Sequence, residues 1–194
     1  MPKEHKEEAR LLKNYNAKPD YYSPSRPKDI TRVMLTVDAP CSGDMLDVGC
    51  GDGRGYHYAY KHGMTYNGID YSETRIAKAR ETQGQIPNNP NRPTFVCGDL
   101  YEALPSINPA FDLIWCCELL EHLEEPEIIW GEMLRLNGGM IVASVPVDMP
   151  HENHLSVFKT EEEVLIRFPS INTITRMSFE TPGKHQREHF IFTA

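Results

Sequence analysis

The chain has 194 residues, a formal net charge of −8 and five cysteines. This length suits one domain with a substantial core, and the acidic balance argues against a nucleic-acid partner, whose phosphates need clustered lysine and arginine. No apolar run approaches the ~20 residues that span a bilayer, and residues 1–10 lack the apolar stretch of a signal peptide. Because no Cys-x-x-Cys pair occurs, we expect reduced thiols, no thiolate zinc site and a cytoplasmic location.

The hydrophobic periodicity predicts strands that alternate with helices. Helices are predicted at 3–18 and 28–37, after Gly53, at 72–82, from Pro126 to the Asn137-Gly138 pair, and at 160–168. Strands are predicted at 44–48, 66–70, 94–97, 111–117 and 140–145, followed by a late pair at 171–179 and 188–192. This alternation is typical of the α/β class. It predicts a doubly wound, mostly parallel seven-stranded sheet with helices on both faces and a late antiparallel strand pair.

A glycine-rich run, MLDVGCGDGRG at 45–55, follows the first strand, and Asp70 ends the second strand about 20 residues beyond the turn. This layout is typical of a nucleotide-binding β-α-β unit. A dinucleotide fingerprint has a third glycine where this chain has Arg54. Asp47 and Asp52 would also repel a pyrophosphate. They would attract a ligand with a cationic end, such as the ammonium and sulfonium of S-adenosylmethionine.

The Asp47-x-Gly49-x-Gly51 run resembles motif I of the class I S-adenosylmethionine-dependent methyltransferases, with the quinone and natural-product methyltransferases as the most similar group. The resemblance covers about residue 28 to the C-terminus. It implies a methyltransferase domain at 28–194 and an added helical lid or cap at 1–27. It also implies S-adenosylmethionine as cofactor, S-adenosylhomocysteine as product and a small-molecule methyl acceptor. The oligomeric state stays open.

Acidic side chains lie at the ends of successive predicted strands. Asp70 suits a bidentate hydrogen bond to the cofactor ribose, because a carboxylate is a pure acceptor with two oxygens, and Asp47 would face the methionine amino group. The resemblance implies that Asp99 binds the adenine amine, that Leu100 meets the adenine ring, and that Glu118 contacts the methionine portion. The expected cofactor-binding residues are Asp47, Gly49, Cys50, Gly51, Asp70, Tyr71, Asp99, Leu100 and Glu118.

The fourth strand is followed by Glu121 and His122, and the resembled family often has an acid–histidine pair here. Methyl transfer needs aligned reactants and, for a hydroxyl acceptor, removal of a proton. His122 is the candidate base because the ordinary pKa of histidine lies near neutrality. Glu121 would orient it, and His154, with His151, would line the pocket. We expect His122, Glu121 and His154 at a metal-free catalytic centre, with a purely structural His122 as the alternative.

Glu118, Glu121, His122 and His154 also resemble the metal site of the RNA 3′-terminal 2′-O-methyltransferases, since two carboxylates and two imidazoles suit a divalent metal. The segment 145–148 reads VPVD where that family has Thr-Pro-Asn, and the acidic balance suits RNA poorly. We therefore favour methyl transfer to an oxygen or nitrogen of a small molecule. A catalytically silent cofactor-binding module and a nicotinamide oxidoreductase are the remaining alternatives.

Overall fold

The computed structural model describes residues 37–40, 42–83, 92–179 and 187–194. The helix predicted at 3–18, residues 28–36 of the helix predicted at 28–37, and the lid at 1–27 lie outside the described residues. The described strands are β1 (Asp44–Val48), β2 (Thr65–Asp70), β3 (Thr94–Cys97), β4 (Phe111–Cys117), β5 (Asn137–Pro146), β6 (Thr173–Phe179) and β7 (Arg187–Thr193). The described α-helices are α1 (Tyr56–His62), α2 (Glu73–Gln83), α3 (Leu100–Ala103), α4 (Pro126–Leu136) and α5 (Glu161–Arg167).

All seven strands belong to one sheet in the order β3-β2-β1-β4-β5-β7-β6. Strands β1 to β5 pair in parallel, whereas β7 pairs antiparallel with both β5 and β6. The predicted fold class is therefore confirmed. The last strand lies between β5 and β6, a position that the predicted strand pair did not specify. None of the described helices has the length and apolarity needed to cross a bilayer.

The central strands are buried on both faces, as expected for a parallel sheet covered by helices. Successive residues of β4 illustrate this, because Ile114 and Cys116 join one apolar cluster while Leu113 and Trp115 join the other. From Leu113 to Cys117, strand β4 is therefore a continuous apolar run without polar alternation. Its bounds match the prediction, since such a run is a strong local signal.

Three short elements were not predicted: α3 and the two 3-10 turns at Leu104–Ser106 and Leu120–His122. Each is too short to show a hydrophobic period. The turn at Leu120–His122 matters for function because it carries Glu121 and His122 directly after β4.

The chain runs outward from β1 to β3 and then returns to the other side of β1 as β4 and β5. The switch point of the sheet therefore lies between the carboxyl ends of β1 and β4, where doubly wound folds bind their ligands. The glycine-rich turn follows β1 at this point. Asp70 ends β2, Asp99 follows β3 and Glu118 follows β4.

Candidate active site

The glycine-rich turn is hydrogen-bonded to the end of β2. The backbone N–H groups of Gly49 and Cys50 donate to the carbonyl of Ile69 at 2.8 and 3.0 Å. Gly49 has a φ of 76° and Gly51 a φ of 54°, a left-handed region that favours glycine. A Cβ on Gly49 would also lie 2.9 Å from the Leu119 side chain. The turn thus needs glycine at Gly49 for space as well as for backbone conformation.

Asp70 is buried, with 8% of its surface exposed. Its Oδ2 accepts a hydrogen bond from the Gly51 N–H at 2.9 Å, and its Oδ1 accepts one from the Ser72 N–H at 2.9 Å. Burial raises the pKa of the Asp70 carboxyl, and these two hydrogen bonds oppose that shift. Each carboxylate oxygen has a second lone pair, so these contacts leave Asp70 able to accept from a ribose diol.

Asp47 lies beneath the turn and is only 4% exposed. Its Oδ2 accepts a hydrogen bond from the Tyr66 hydroxyl at 2.5 Å. Burial raises the pKa of Asp47 to about 7; the Tyr66 hydrogen bond opposes this, and the charges of Asp70 and Asp52 add to it. The fold therefore disfavours the charged form of Asp47.

Gly55 provides the close approach between α1 and β1. A Cβ at Gly55 would overlap the Asp47 carboxylate. The dinucleotide fingerprint has its close-packing glycine at the position of Arg54, and in this chain Gly55, one residue later, takes that place. Arg54 instead forms an ion pair with Asp52 at 3.0 Å. The negative charge of Asp52 is thus partly balanced within the turn itself.

Asp99 and Leu100 lie at the carboxyl end of β3. The Asp99 side chain caps α3 by accepting a hydrogen bond from the Tyr101 N–H at 2.9 Å, and its carboxylate is exposed. Leu100 is buried. Tyr71 follows Asp70 at the end of β2 and is half-buried. These residues therefore line the β2–β3 side of the switch point, on the same edge of the sheet as the glycine turn.

Glu118, directly after β4, is held by two neighbouring strands. It has a φ of 54°, which is uncommon for a residue with a side chain. Its carboxylate accepts hydrogen bonds from Ser144 Oγ on β5 at 3.0 Å and from His189 Nε2 on β7 at 3.1 Å. Burial opposes ionisation, but the hydrogen bond and charge of His189 hold the pKa of Glu118 below its usual range.

His189 is not among the site residues predicted from the sequence. Its side chain is 2% exposed, and it comes from the apolar strand β7, 71 residues away from Glu118. The signal that could have found it is a histidine directly before the apolar run Phe190–Phe192. The sequence alone offered no reason to pair that strand with the end of β4.

Glu121, His122 and His154 come together beside Glu118. One potential ligand atom from each of the three lies within 4.8 Å of the others. The Nε2 of His122 is 3.7 Å from Oε1 of Glu121, and the His122 and His154 rings meet edge to face with centroids 4.9 Å apart. The three residues expected at the catalytic centre therefore form one cluster, whereas Glu118 bonds to Ser144 and His189.

The loop after β5 positions this cluster. The carbonyl of Glu121 accepts hydrogen bonds from the N–H groups of Leu155 and Ser156 at 2.7 and 3.1 Å. The Nδ1 atoms of His122 and His154 lie 2.7 Å from the carbonyls of Asn153 and Met149, respectively. His151 is exposed and its ring lies beside that of His154, with centroids 5.2 Å apart.

The charge states of the cluster follow from its burial. Burial lowers the pKa of His122 to about 4 and also lowers the pKa of His154. Burial raises the pKa of Glu121 well above its usual range, and the charge of Glu118 adds to this shift. Both imidazoles are therefore neutral near pH 7, and their carbonyl contacts make Nε2 the basic nitrogen of each ring.

Solved methyltransferase structures share this fold. An N-methyltransferase from Bradyrhizobium japonicum, in complex with S-adenosyl-L-homocysteine, aligns with a TM-score of 0.72 and 18% identity over 96% of this chain and 98% of that one. Magnesium protoporphyrin IX methyltransferase from Synechocystis, with bound S-adenosylhomocysteine, aligns with a TM-score of 0.71 and 17% identity, covering 96% and 99% of the two chains. These similarities establish the fold.

Curated sequences give a more local match. A ubiquinone biosynthesis O-methyltransferase from Coxiella burnetii is 40% identical over 83 residues, which are 43% of this chain and 34% of that protein. Ajmaline N-methyltransferase from Rauvolfia serpentina is 31% identical over 130 residues, 64% of this chain and 43% of that protein. The chain thus spans about a third to somewhat under half of the length of these two relatives.

A family model supplies the remaining evidence. The model described as a methyltransferase domain matches residues 46–143, just over half of the chain. This match runs from β1 to β5 and includes the glycine turn and the Glu121–His122 pair. The chain therefore belongs to the methyltransferase domain family, whose members are class I S-adenosylmethionine-dependent methyltransferases.

Proposed function

We propose that the chain is an S-adenosylmethionine-dependent methyltransferase that methylates an oxygen or nitrogen of a small molecule. The observation that carries this proposal is the arrangement at the switch point. A glycine turn and the buried acid Asp70 occupy the β1–β2 side, and the cluster of Glu121, His122 and His154 lies beyond the end of β4. A cofactor site and a reacting centre are thus adjacent on one edge of the sheet.

The contacts of the described residues support one orientation of the cofactor. Asp70 would bind the ribose diol, and the cationic methionine end would lie near Asp47 and Glu118. Asp99 and Leu100 would contact the adenine. Gly49, Cys50, Gly51 and Tyr71 would form the remaining wall, because they are the backbone turn and the residue after Asp70. Bound S-adenosylmethionine supplies an electrophilic methyl group on a positively charged sulfur.

The protein's part in the reaction is alignment and proton removal. The acceptor lone pair forms a bond to the methyl carbon, the carbon–sulfur bond breaks, and its electron pair neutralises the sulfonium. A hydroxyl acceptor must lose its proton, and His122 Nε2 is the group we assign to receive it, because Nδ1 faces the Asn153 carbonyl. Glu121 and His154 line the part of the pocket where the acceptor would bind.

The net charge and the free cysteines support the proposed acceptor class and location. The formal net charge of −8 favours a small molecule over a phosphate backbone as the acceptor. The described cysteines Cys50, Cys97, Cys116 and Cys117 are free thiols, which suits the reducing cytoplasm that we propose as its location.

Two measurements test the proposal. Calorimetry is expected to show binding of S-adenosylmethionine and S-adenosylhomocysteine and weaker or no binding of NAD. Release of S-adenosylhomocysteine is then measured with phenolic, catecholic and amine acceptors. Tighter binding of NAD than of S-adenosylmethionine would overturn the cofactor assignment. Cofactor binding without methyl transfer to any acceptor class would favour a catalytically silent module.

A variant tests the reacting centre. His122→Ala is expected to lower turnover by roughly 10²–10⁴-fold with little change in cofactor affinity, because His122 lies beyond the cofactor turn. His57→Ala is the control, since His57 is exposed on α1 and should leave both quantities unchanged. Full turnover of His122→Ala would mean that alignment alone drives the reaction.

A further inference from the structure

We propose that Glu121, His122 and His154 bind a divalent metal ion beside the methyl-transfer crevice. One potential ligand atom of each lies within 4.8 Å of the others. Two imidazoles and one carboxylate form a donor set that suits Zn²⁺, Fe²⁺ or Mn²⁺. This inference replaces the metal-free centre expected from the sequence, and it rests on the contacts around each of the three side chains.

The two histidines are held in the orientation that metal ligands need. The Nδ1–H of His122 donates to the carbonyl of Asn153, and the Nδ1–H of His154 donates to the carbonyl of Met149, each at 2.7 Å. Metal-binding histidines commonly donate one ring N–H to a backbone carbonyl, which fixes the tautomer and directs the other nitrogen to the ion. Both rings therefore present Nε2 as the ligand atom.

The Glu121 carboxylate provides independent support for the metal site. The Glu121 side chain is 1% exposed, and its Oε2 has no hydrogen-bond partner among the residues that the structure describes. Buried carboxylate oxygens normally have a hydrogen bond or a cation. A metal ion between Glu121 and the two Nε2 atoms would satisfy this oxygen and account for its burial.

Glu118 is not one of the proposed metal ligands. Ser144 and His189 donate to its two oxygens, so the ligands number three and differ from the four-residue set considered from the sequence. Glu118 still places negative charge near the cluster, since its charge acts on His122 and His154. This charge favours a cation without coordinating it.

To bind one ion, the three donor atoms need to move only slightly closer together. Ligand atoms about 2 Å from a common ion lie about 3–4 Å from one another, so the three donors must close by about 1 Å. Rotation about the side-chain bonds of Glu121 would supply this change, because its Oε2 has no hydrogen-bond partner among the described residues. The carbonyls of Asn153 and Met149 would stay in place, because the loop is fixed by hydrogen bonds to the Glu121 carbonyl.

Three protein ligands leave coordination positions for oxygen atoms of the acceptor. A coordinated hydroxyl loses its proton to solvent more readily, because the ion stabilises the oxyanion. That oxygen then forms the bond to the methyl carbon as the carbon–sulfur bond breaks and its electron pair passes to sulfur. With the ion bound, His122 Nε2 is a ligand and the proton passes to solvent, whereas in the metal-free chain His122 Nε2 receives it. This catalytic use rests on the proposed function, whereas metal binding itself does not.

Metal titration without cofactor or acceptor tests the site. The full chain is freed of metal with a chelator and titrated with Co²⁺, whose visible absorption reports imidazole coordination, and with Zn²⁺ in competition. We expect saturation at one equivalent. His154→Gln and Glu121→Gln are each expected to weaken binding by at least ~10-fold. His57→Gln is the matched control, because it makes the same change at an exposed histidine on α1, outside the ligand set, and it should bind as the wild type does.

Each outcome decides the proposal. Binding of one equivalent that is weakened by His154→Gln and not by His57→Gln supports it, and His154→Gln decides alone if Glu121→Gln does not fold. Absence of stoichiometric binding, or equal binding by all variants, overturns it. Because the titration contains no S-adenosylmethionine, failure here leaves the proposed methyltransferase function standing, and a failed cofactor assay leaves the metal site standing.

Discussion

Asp70 and Gly51 are joined by a direct hydrogen bond, in which the Gly51 N–H donates to Asp70 Oδ2 at 2.9 Å. The acid that we assign to the cofactor ribose therefore also holds the glycine turn against β2. A second bond from the Ser72 N–H fixes the other carboxylate oxygen. The carboxylate is thus oriented before any ligand binds, which reduces the entropy cost of binding.

Replacing Asp70 with alanine should weaken the binding of S-adenosylmethionine by at least ~10-fold. The variant loses hydrogen bonds to a charged group, worth about 1.5–3 kcal/mol each, and it also loosens the turn. Calorimetry measures the affinity, and thermal unfolding separates the loss of the internal bonds from the loss of the ribose contact. Glu73→Ala, at an exposed acid in the first turn of α2, should bind normally. Unchanged affinity of Asp70→Ala would contradict the assignment.

Gly51→Val should abolish cofactor binding while the sheet remains folded. Gly51 has a φ of 54°, and the nearest atom to an added Cβ is Arg75 Nη1 at 3.5 Å, so the cost comes from backbone conformation and from the side chain facing the ligand. Gly63→Val is a matched control, because Gly63 has a φ of 69° and no neighbour within 4 Å.

Equilibrium dialysis compares these two glycine variants. We expect Gly51→Val and Gly63→Val to lose similar amounts of stability. Only Gly51→Val should lose cofactor binding. Equal cofactor binding by both variants would show that this turn does not contact the cofactor.

Asp47→Asn should flatten the dependence of stability on pH. Because burial raises the pKa of Asp47 from 3.8 to about 7, the folded state holds a proton that the unfolded state releases between those values. The wild type should therefore lose stability as pH rises through this window, by about 2–4 kcal/mol, and reach a plateau above it.

Urea unfolding across this pH range measures the slope for Asp47→Asn and the wild type. Tyr66→Phe removes the hydrogen bond that opposes the raised pKa, so it should extend the window to higher pH. Parallel pH profiles of wild type and Asp47→Asn would show that Asp47 titrates normally.

His189→Ala should destabilise the protein by about 1.5–3 kcal/mol near neutral pH, since a buried hydrogen bond to a carboxylate is lost. Because the pKa of Glu118 is lowered in the fold, its ionised form stabilises the protein above the ordinary carboxyl pKa. This contribution disappears as pH falls through the folded pKa. The difference between wild type and variant should therefore shrink in acid. A difference independent of pH would indicate a cavity effect alone.

The sequence by itself determined the class of fold and the positions of most strands. Alternating apolar runs and turn residues are local signals, so β1, β3 and β4 have the bounds that periodicity predicts. The glycine turn and the acids at the ends of β1, β2 and β3 could be predicted for the same reason. The carboxyl ends of parallel strands share one edge of the sheet, so their placement followed from strand order.

Only the tertiary structure decided how the site is held together. His189 reaches Glu118 across 71 residues of chain, because β7 enters the sheet beside β5 and not at its edge. Gly55 makes room for Asp47, and the carbonyls of Asn153 and Met149 set the tautomers of His122 and His154. These contacts depend on the path of the backbone between distant segments. Local periodicity carries no information about that path. The sequence therefore shows that these residue types are present, but it does not show which of them are in contact.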